Sequence, residues 1–125
     1  LALSNSVVSG NTARSGGGGI LNAEGSAQLQ NDTFSGNSSG ADFGGGIYNS
    51  SGPMFLTNVT LSGNSAPQGG GGIYIFDVGA AVTLTNTIIA NSPAGGNCAG
   101  KAISALLTND APIRGMLEAK IKETE

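Results

Sequence analysis

The sequence predicts an all-β fold, a single-stranded parallel β-helix of about four coils followed by a short C-terminal α-helical segment. Three observations predict it. A nine-residue element recurs at Leu3–Asn11, Leu29–Asn37 and Leu56–Asn64, with an altered copy at Leu84–Asn91. A run of glycines ending in Ile follows each of the first three, at Gly16–Ile20, Gly44–Ile47 and Gly69–Ile73. The copies also hold register: Asn5, Asn31, Asn58 and Asn86 lie 26, 27 and 28 residues apart. So long a period, made of short alternating runs broken by Gly and Ser, marks a solenoid with one β coil per repeat. Helical repeats would need amphipathic runs of about ten residues or more.

Neighbouring strands sit about 4.8 Å apart, so a coil that climbs by one strand stacks equivalent residues over one another. Alternation then sorts side chains into inward and outward columns. Leu3, Leu29, Leu56 and Leu84 form one inward column, Val8, Phe34, Leu61 and Ile89 a second, and Ile20, Ile47 and Ile73 a third. Three apolar columns imply roughly three strands per coil, with polar bends between them. The fourth copy is damaged. Its last Asn, Asn91, comes one place early, and no Gly-Gly-Gly-Ile follows.

The asparagines belong at the bends. A turning backbone leaves amides and carbonyls unpaired, and a stacked Asn side chain can satisfy the next coil's backbone or its own neighbour. Asn5, Asn31, Asn58 and Asn86 make one ladder, Asn11, Asn37 and Asn64 a second, and Asn22 and Asn49 a third. Ladders of this kind stabilise cross-β stacks. The glycine runs lead into Ile-Leu or Ile-Tyr, with no helix pattern and no adjacent Lys. They are therefore sharp turns at positive φ, not phosphate cradles.

The paired elements resemble the repeat of chlamydial polymorphic outer-membrane proteins and related bacterial surface proteins, whose short motifs read Gly-Gly-Ala-Ile-like and Phe-x-x-Asn. The first motif is matched at Gly17–Ile20, Gly44–Ile47 and Gly70–Ile73, the second at Val8–Asn11, Phe34–Asn37 and Leu61–Asn64. Only Phe34–Asn37 keeps the Phe, and none of the three keeps the Ala. The resemblance covers residues 1 to about 100. It implies a right-handed parallel β-helix of the kind found in passenger stalks, adhesins and assorted secreted proteins, on the bacterial surface or outside the cell. It also implies a second Cys downstream of Cys98 and a local disulfide, yet Cys98 is alone in this sequence. Either the natural continuation is missing or the thiol is free.

Composition narrows the function classes. One domain is expected from 125 residues, and 22 glycines with no Trp and no His leave little bulky core. A solenoid tolerates that, because each coil needs only its neighbours. A net charge of −3 gives no basic footprint for nucleic acid. No apolar run reaches the roughly 18 residues of a membrane helix, so no membrane span is expected. The β-helix occupies 1–100, with coils starting near 1, 27, 54 and 82. Its first strand begins at Leu1 with no signal peptide before it, which fits a fragment of a longer β-helix, a processed chain, or a subunit whose bare end docks on another copy. Residues 12–15, 38–43 and 65–68 vary between copies and are the loops where a binding surface would be built.

Candidate chemistry is sparse. Glu24, Asp32, Asp42 and Asp77 are the acids of the coils. A calcium site needs several converging oxygens, so Ca²⁺ is a weak possibility and solvated loop charge is the favoured reading; no cofactor is expected. Without His, a Cys-His nucleophile is excluded. Arg14 is the only base of the coils, with Asp42 its nearest acid by register, too little for a polysaccharide lyase or hydrolase. Tyr48 and Tyr74 share one outward register, with Leu21 before them, and form a possible contact surface for a carbohydrate or a host partner. Thr57 and Thr85 align outward, but Ser4 and Gln30 in the same column break any ice-binding array. The sequons at Asn31, Asn37, Asn49 and Asn58 fall on ladder columns, where the amides should be engaged, and are discounted for glycosylation.

Residues 101–125 are different material, rich in charge and with one glycine. Ile103, Leu106 and Leu107 fit one face of a short helix. Asp110 is a candidate N-cap with Pro112 in the first turn, and Ile113, Met116, Leu117 and Ile121 line a second narrow face. The tail is expected to cap the last coil or to reach another chain. Its abrupt onset also fits an engineered cap. Three functions follow as expectations: a non-catalytic surface or secreted β-helix, structural or adhesive, that self-associates through its coil ends; an engineered or truncated scaffold without native activity; and, least favoured, a polysaccharide-active enzyme.

Overall fold

The computed structural model describes residues 1–77 and 79–100. Each coil contributes short strands, the first and second walls joined by two-residue bends and the third wall reached and left through longer loops. The first holds β1 (Ala2–Ser4), β2 (Val7–Ser9), β3 (Thr12–Ala13) and β4 (Ile20–Asn22). The second holds β5 (Ala27–Gln30), β6 (Thr33–Ser35), β7 (Ser38–Ser39) and β8 (Ile47–Asn49). The third holds β9 (Met54–Thr57), β10 (Thr60–Ser62) and β11 (Ile73–Ile75), and the fourth β12 (Val82–Thr85), β13 (Ile88–Ala90) and β14 (Cys98–Gly100). No helix occurs among the described residues. The tail residues Ile103, Leu106, Leu107, Ile113, Met116, Leu117 and Ile121 lie outside them.

Equivalent strands stack into three parallel walls, β1-β5-β9-β12, β2-β6-β10-β13 and β4-β8-β11-β14, with β3 and β7 pairing at one corner. The architecture is a parallel β-solenoid of four coils. Pairing is residue on residue: Leu3, Leu29, Leu56 and Leu84 superimpose on the first wall, and Val8, Phe34, Leu61 and Ile89 on the second. Both columns point inward, and from the second coil onward they are buried. A further inward column, Ala27, Met54 and Val82, opens each later strand of the first wall and shares the core.

Two features depart from the sequence reading. The fourth coil is less damaged than its motif suggests. Cys98 pairs with Ile73 and so extends the Ile20, Ile47 and Ile73 column, while the Gly70, Gly72 and Ile73 amides donate to the Gly95, Gly96 and Asn97 carbonyls. Gly95-Gly96-Asn97-Cys98 is thus the coil's version of Gly-Gly-Gly-Ile. Asn91, one place early as an Asn, follows Ala90, which pairs with Ser62; it therefore takes the station of Gly63, at φ 52° beside 71°. Asn tolerates that left-handed conformation better than most residues with a β-carbon.

The glycine runs also do more than turn. Positive φ sits near their entry, at Gly17, Gly44 and Gly70 (78°, 68° and 64°) with Gly69 also positive at 142°, and the last two glycines of each run lie outside that region. Those need space instead. A β-carbon on Gly46 would stand 2.7 Å from the Gly72 carbonyl oxygen, and one on Gly72 would stand 2.5 Å from that of Asn97. Coil on coil, the backbones approach too closely for any side chain.

Candidate functional site: the polar ladders and an aromatic wall

Three Asn columns form along the rod, and they differ in depth. Asn5, Asn31, Asn58 and Asn86 occupy left-handed bends at φ 53°, 57°, 55° and 46° and are exposed. The Asn31 Nδ2 donates to Asn5 Oδ1 at 3.1 Å, and Asn58 Nδ2 to Asn31 Oδ1 at 3.0 Å. This ladder decorates the surface.

The other two run toward the interior. Asn11 donates from both its backbone N–H and Nδ2 to Asn37 Oδ1, at 3.1 and 3.0 Å. Asn37 does the same to Asn64 Oδ1, both at 3.0 Å. Asn64 Nδ2 in turn donates to the Phe34 carbonyl at 3.0 Å. On the third wall Asn22 Nδ2 donates to Asn49 Oδ1 at 2.8 Å. Asn37, Asn49 and Asn64 are fully buried, so these bonds satisfy backbone groups that water cannot reach. Each inner ladder stops where its residue changes: Ile75 pairs with Asn49, and Ser92 follows Asn91 where Asn would stand. The Ser92 hydroxyl is buried without a partner, although its N–H donates to Asn97 Oδ1 at 3.3 Å.

The same geometry bears on the four sequons. Asn37 and Asn49 are buried, while Asn31 and Asn58 are exposed with their amides held in the outer ladder.

Asp32 overturns the expectation of a solvated loop charge. It is 1% exposed, and its carboxylate accepts the Ser6 N–H at 2.8 Å and the Gln30 N–H at 3.0 Å. The next two coils place Val59 and Thr87 at this bend, also buried. Val59 offers no polar group there, whereas the Thr87 hydroxyl bonds the Leu56 and Thr85 carbonyls and accepts the Val59 N–H at 3.4 Å. Asp42 and Asp77 do lie in loops, Asp77 exposed and accepting the Gly79 N–H at 3.4 Å. No cluster of three His, Cys, Asp or Glu side chains able to hold a metal ion occurs among the described residues.

The third wall presents the aromatic surface. Leu21 pairs with Tyr48 and Tyr48 with Tyr74, so all three face outward in one column, and Ala99 continues it. The Tyr48 and Tyr74 ring centres are 5.3 Å apart. Two residues not singled out by the sequence join them. Phe43 stacks on Tyr74 at 4.2 Å, and Phe76 on Tyr48 at 6.3 Å, giving a run of rings Phe43, Tyr74, Tyr48 and Phe76. No periodicity flags Phe43 or Phe76: one precedes a glycine run, the other follows a strand, and neither recurs. Partial burial, then the neighbouring Tyr74 and Asp42, raise the Tyr48 phenol above its ordinary range. Cys98 by contrast is a core residue, and burial pushes its thiol up to about 12.

With the walls in place, the likeness to known proteins can be put on the coils. Residues 33–50 and 58–75 match the family model of the Chlamydia polymorphic membrane protein repeat. The coils are similar to chlamydial polymorphic membrane protein repeats. Each match runs along the second and third walls of one coil, 33–50 through β6 to β8 and 58–75 through β10 and β11. What this repeat type encodes is therefore the inner Asn ladder, the glycine run and the inward Ile, in that order. No curated protein and no solved structure matches the chain.

Proposed function

We propose that this chain is a non-catalytic β-helical module of a surface-associated or secreted protein, structural or adhesive, that self-associates through its coil ends. One observation carries the reading: register is kept residue on residue through four coils, and two of those coils match a repeat named for a membrane protein. Such stacking yields a rigid rod whose walls are surfaces for display. Self-association is supported by the stacking itself: each coil is held only by its neighbours, residue on residue, so a coil end can accept a further coil.

Two measurements test the proposal. Antibodies raised to the chain should label intact cells of its source, or its culture medium; labelling only after lysis would defeat the surface assignment. Light scattering on the purified full chain should show dimers or larger species in the micromolar range. A strict monomer there would defeat self-association and leave the surface assignment standing.

A further inference from the structure

We propose that the aromatic third wall is a docking surface for a basic, extended peptide segment of a partner. The inference goes beyond the surface assignment and does not depend on it. It begins from where the charges fall. The outward positions of the first two walls, from Ala2 to Thr85 and from Val7 to Ala90, carry Ala, Ser, Thr, Gln, Val, Ile and Phe and no charged residue. Asp32, the one acid at their shared bend, is buried. The remaining acids of the described residues all flank the third wall. Asp42 directly precedes Phe43, ahead of β8; Glu24 closely follows β4; Asp77 directly follows Phe76, after β11. Against these three acids stands one basic side chain among the described residues, Arg14.

Within that acidic rim lies the rod's continuous run of rings. Of the large apolar side chains exposed among the described residues, Leu1 precedes the first strand and Val7, Phe55 and Ile88 lie on the other two walls, whereas Leu21 and Phe76 border Tyr48 and Tyr74. The ring geometry selects among ligands. Stacking at 25° and 23° turns ring faces toward one another. A sugar, which needs an open face, is poorly served. An apolar helix would leave acids against its edges. Lys and Arg side chains fit both features, since their aliphatic stems pack along apolar surface while their heads reach carboxylates.

The test is fluorescence anisotropy with the full chain and a labelled peptide of alternating Arg and Ser. Binding in the micromolar range that weakens with added salt is expected, because rim charges are screened within about 10 Å at 0.1 M. Asp42→Asn and Asp77→Asn should each weaken binding about threefold and together about tenfold. Adding Gln28→Glu on the first wall to the Asp42→Asn chain restores net charge at a distant face, and should not restore binding. Leu21→Ser, checked for fold by circular dichroism, should weaken binding without altering the salt dependence. Three results would overturn the proposal: no binding of the basic peptide, rescue by Gln28→Glu, or tighter binding of a neutral β-linked oligosaccharide than of the peptide.

Discussion

Cys98 lies directly over Ile73, strand to strand, as the fourth member of an inward column that is otherwise isoleucine. Its thiol is 3% exposed, so this lone cysteine is packing material. Cys98→Val should keep stability within about 1.5 kcal/mol of the parent, while Cys98→Asp, an unpaired buried charge, should cost well above 3 kcal/mol. Urea denaturation separates the two. Native protein should also react far more slowly with a thiol reagent than unfolded protein.

A pH dependence follows from the same burial. The folded thiol is held up to about 12, from an ordinary 9.0. Above pH 9 the unfolded chain gives up this proton and the folded chain does not, so the folded state binds more protons. Stability should be unaffected by this group below pH 9 and fall by about 1.4 kcal/mol per pH unit as pH rises toward 12. Urea midpoints at pH 8 and 10.5, for the parent and for Cys98→Val, measure it. The extra loss should vanish in the variant.

Gly46 and Gly36 should respond differently to Ala. At Gly46 a β-carbon meets the Gly72 carbonyl oxygen at 2.7 Å and the Leu61 Cδ2 at 3.2 Å. Coils would have to part, at a cost of about 3 kcal/mol. Gly36 has φ 63° with nothing within 4 Å, so only its backbone conformation resists, at about 1 kcal/mol. Comparable losses at both sites would mean that the coils are not stacked this closely.

The ladders predict a second contrast. Asn64→Ala orphans the buried Asn37 N–H and the Phe34 carbonyl and should cost about 3 kcal/mol. Asn58→Gly removes one exposed amide bond from a left-handed bend that glycine adopts freely, and should change stability by less than about 1 kcal/mol. Thermal denaturation followed by circular dichroism decides between them.

Much of the fold was legible because it repeats. Leu29 and Leu56 are recognisable as partners from a period alone, and parallel pairing leaves no freedom in their register once one face is buried. Legibility failed where a coil uses a different residue for the same task. Asp32, Val59 and Thr87 share a buried bend, yet their chemistry has nothing in common, so no column appears on paper. Cys98 was hidden likewise, since a thiol in place of isoleucine breaks the motif without breaking the packing. The ring run escaped for another reason: Phe43 and Phe76 reach Tyr74 and Tyr48 from bends, across coils, by paths that alternation does not describe.

The sequence by itself determined the coil, its period and the apolar columns, because these depend on local alternation and on like stacking over like. Only the tertiary structure decided depth. Asn31 and Asn37 are six residues apart in one coil, the first exposed and the second wholly buried. The direction in which a bend turns its side chain is set by the coils above and below. For the same reason the acids Asp32 and Asp42 part company, one buried at a bend and the other half-buried in the loop ahead of β8.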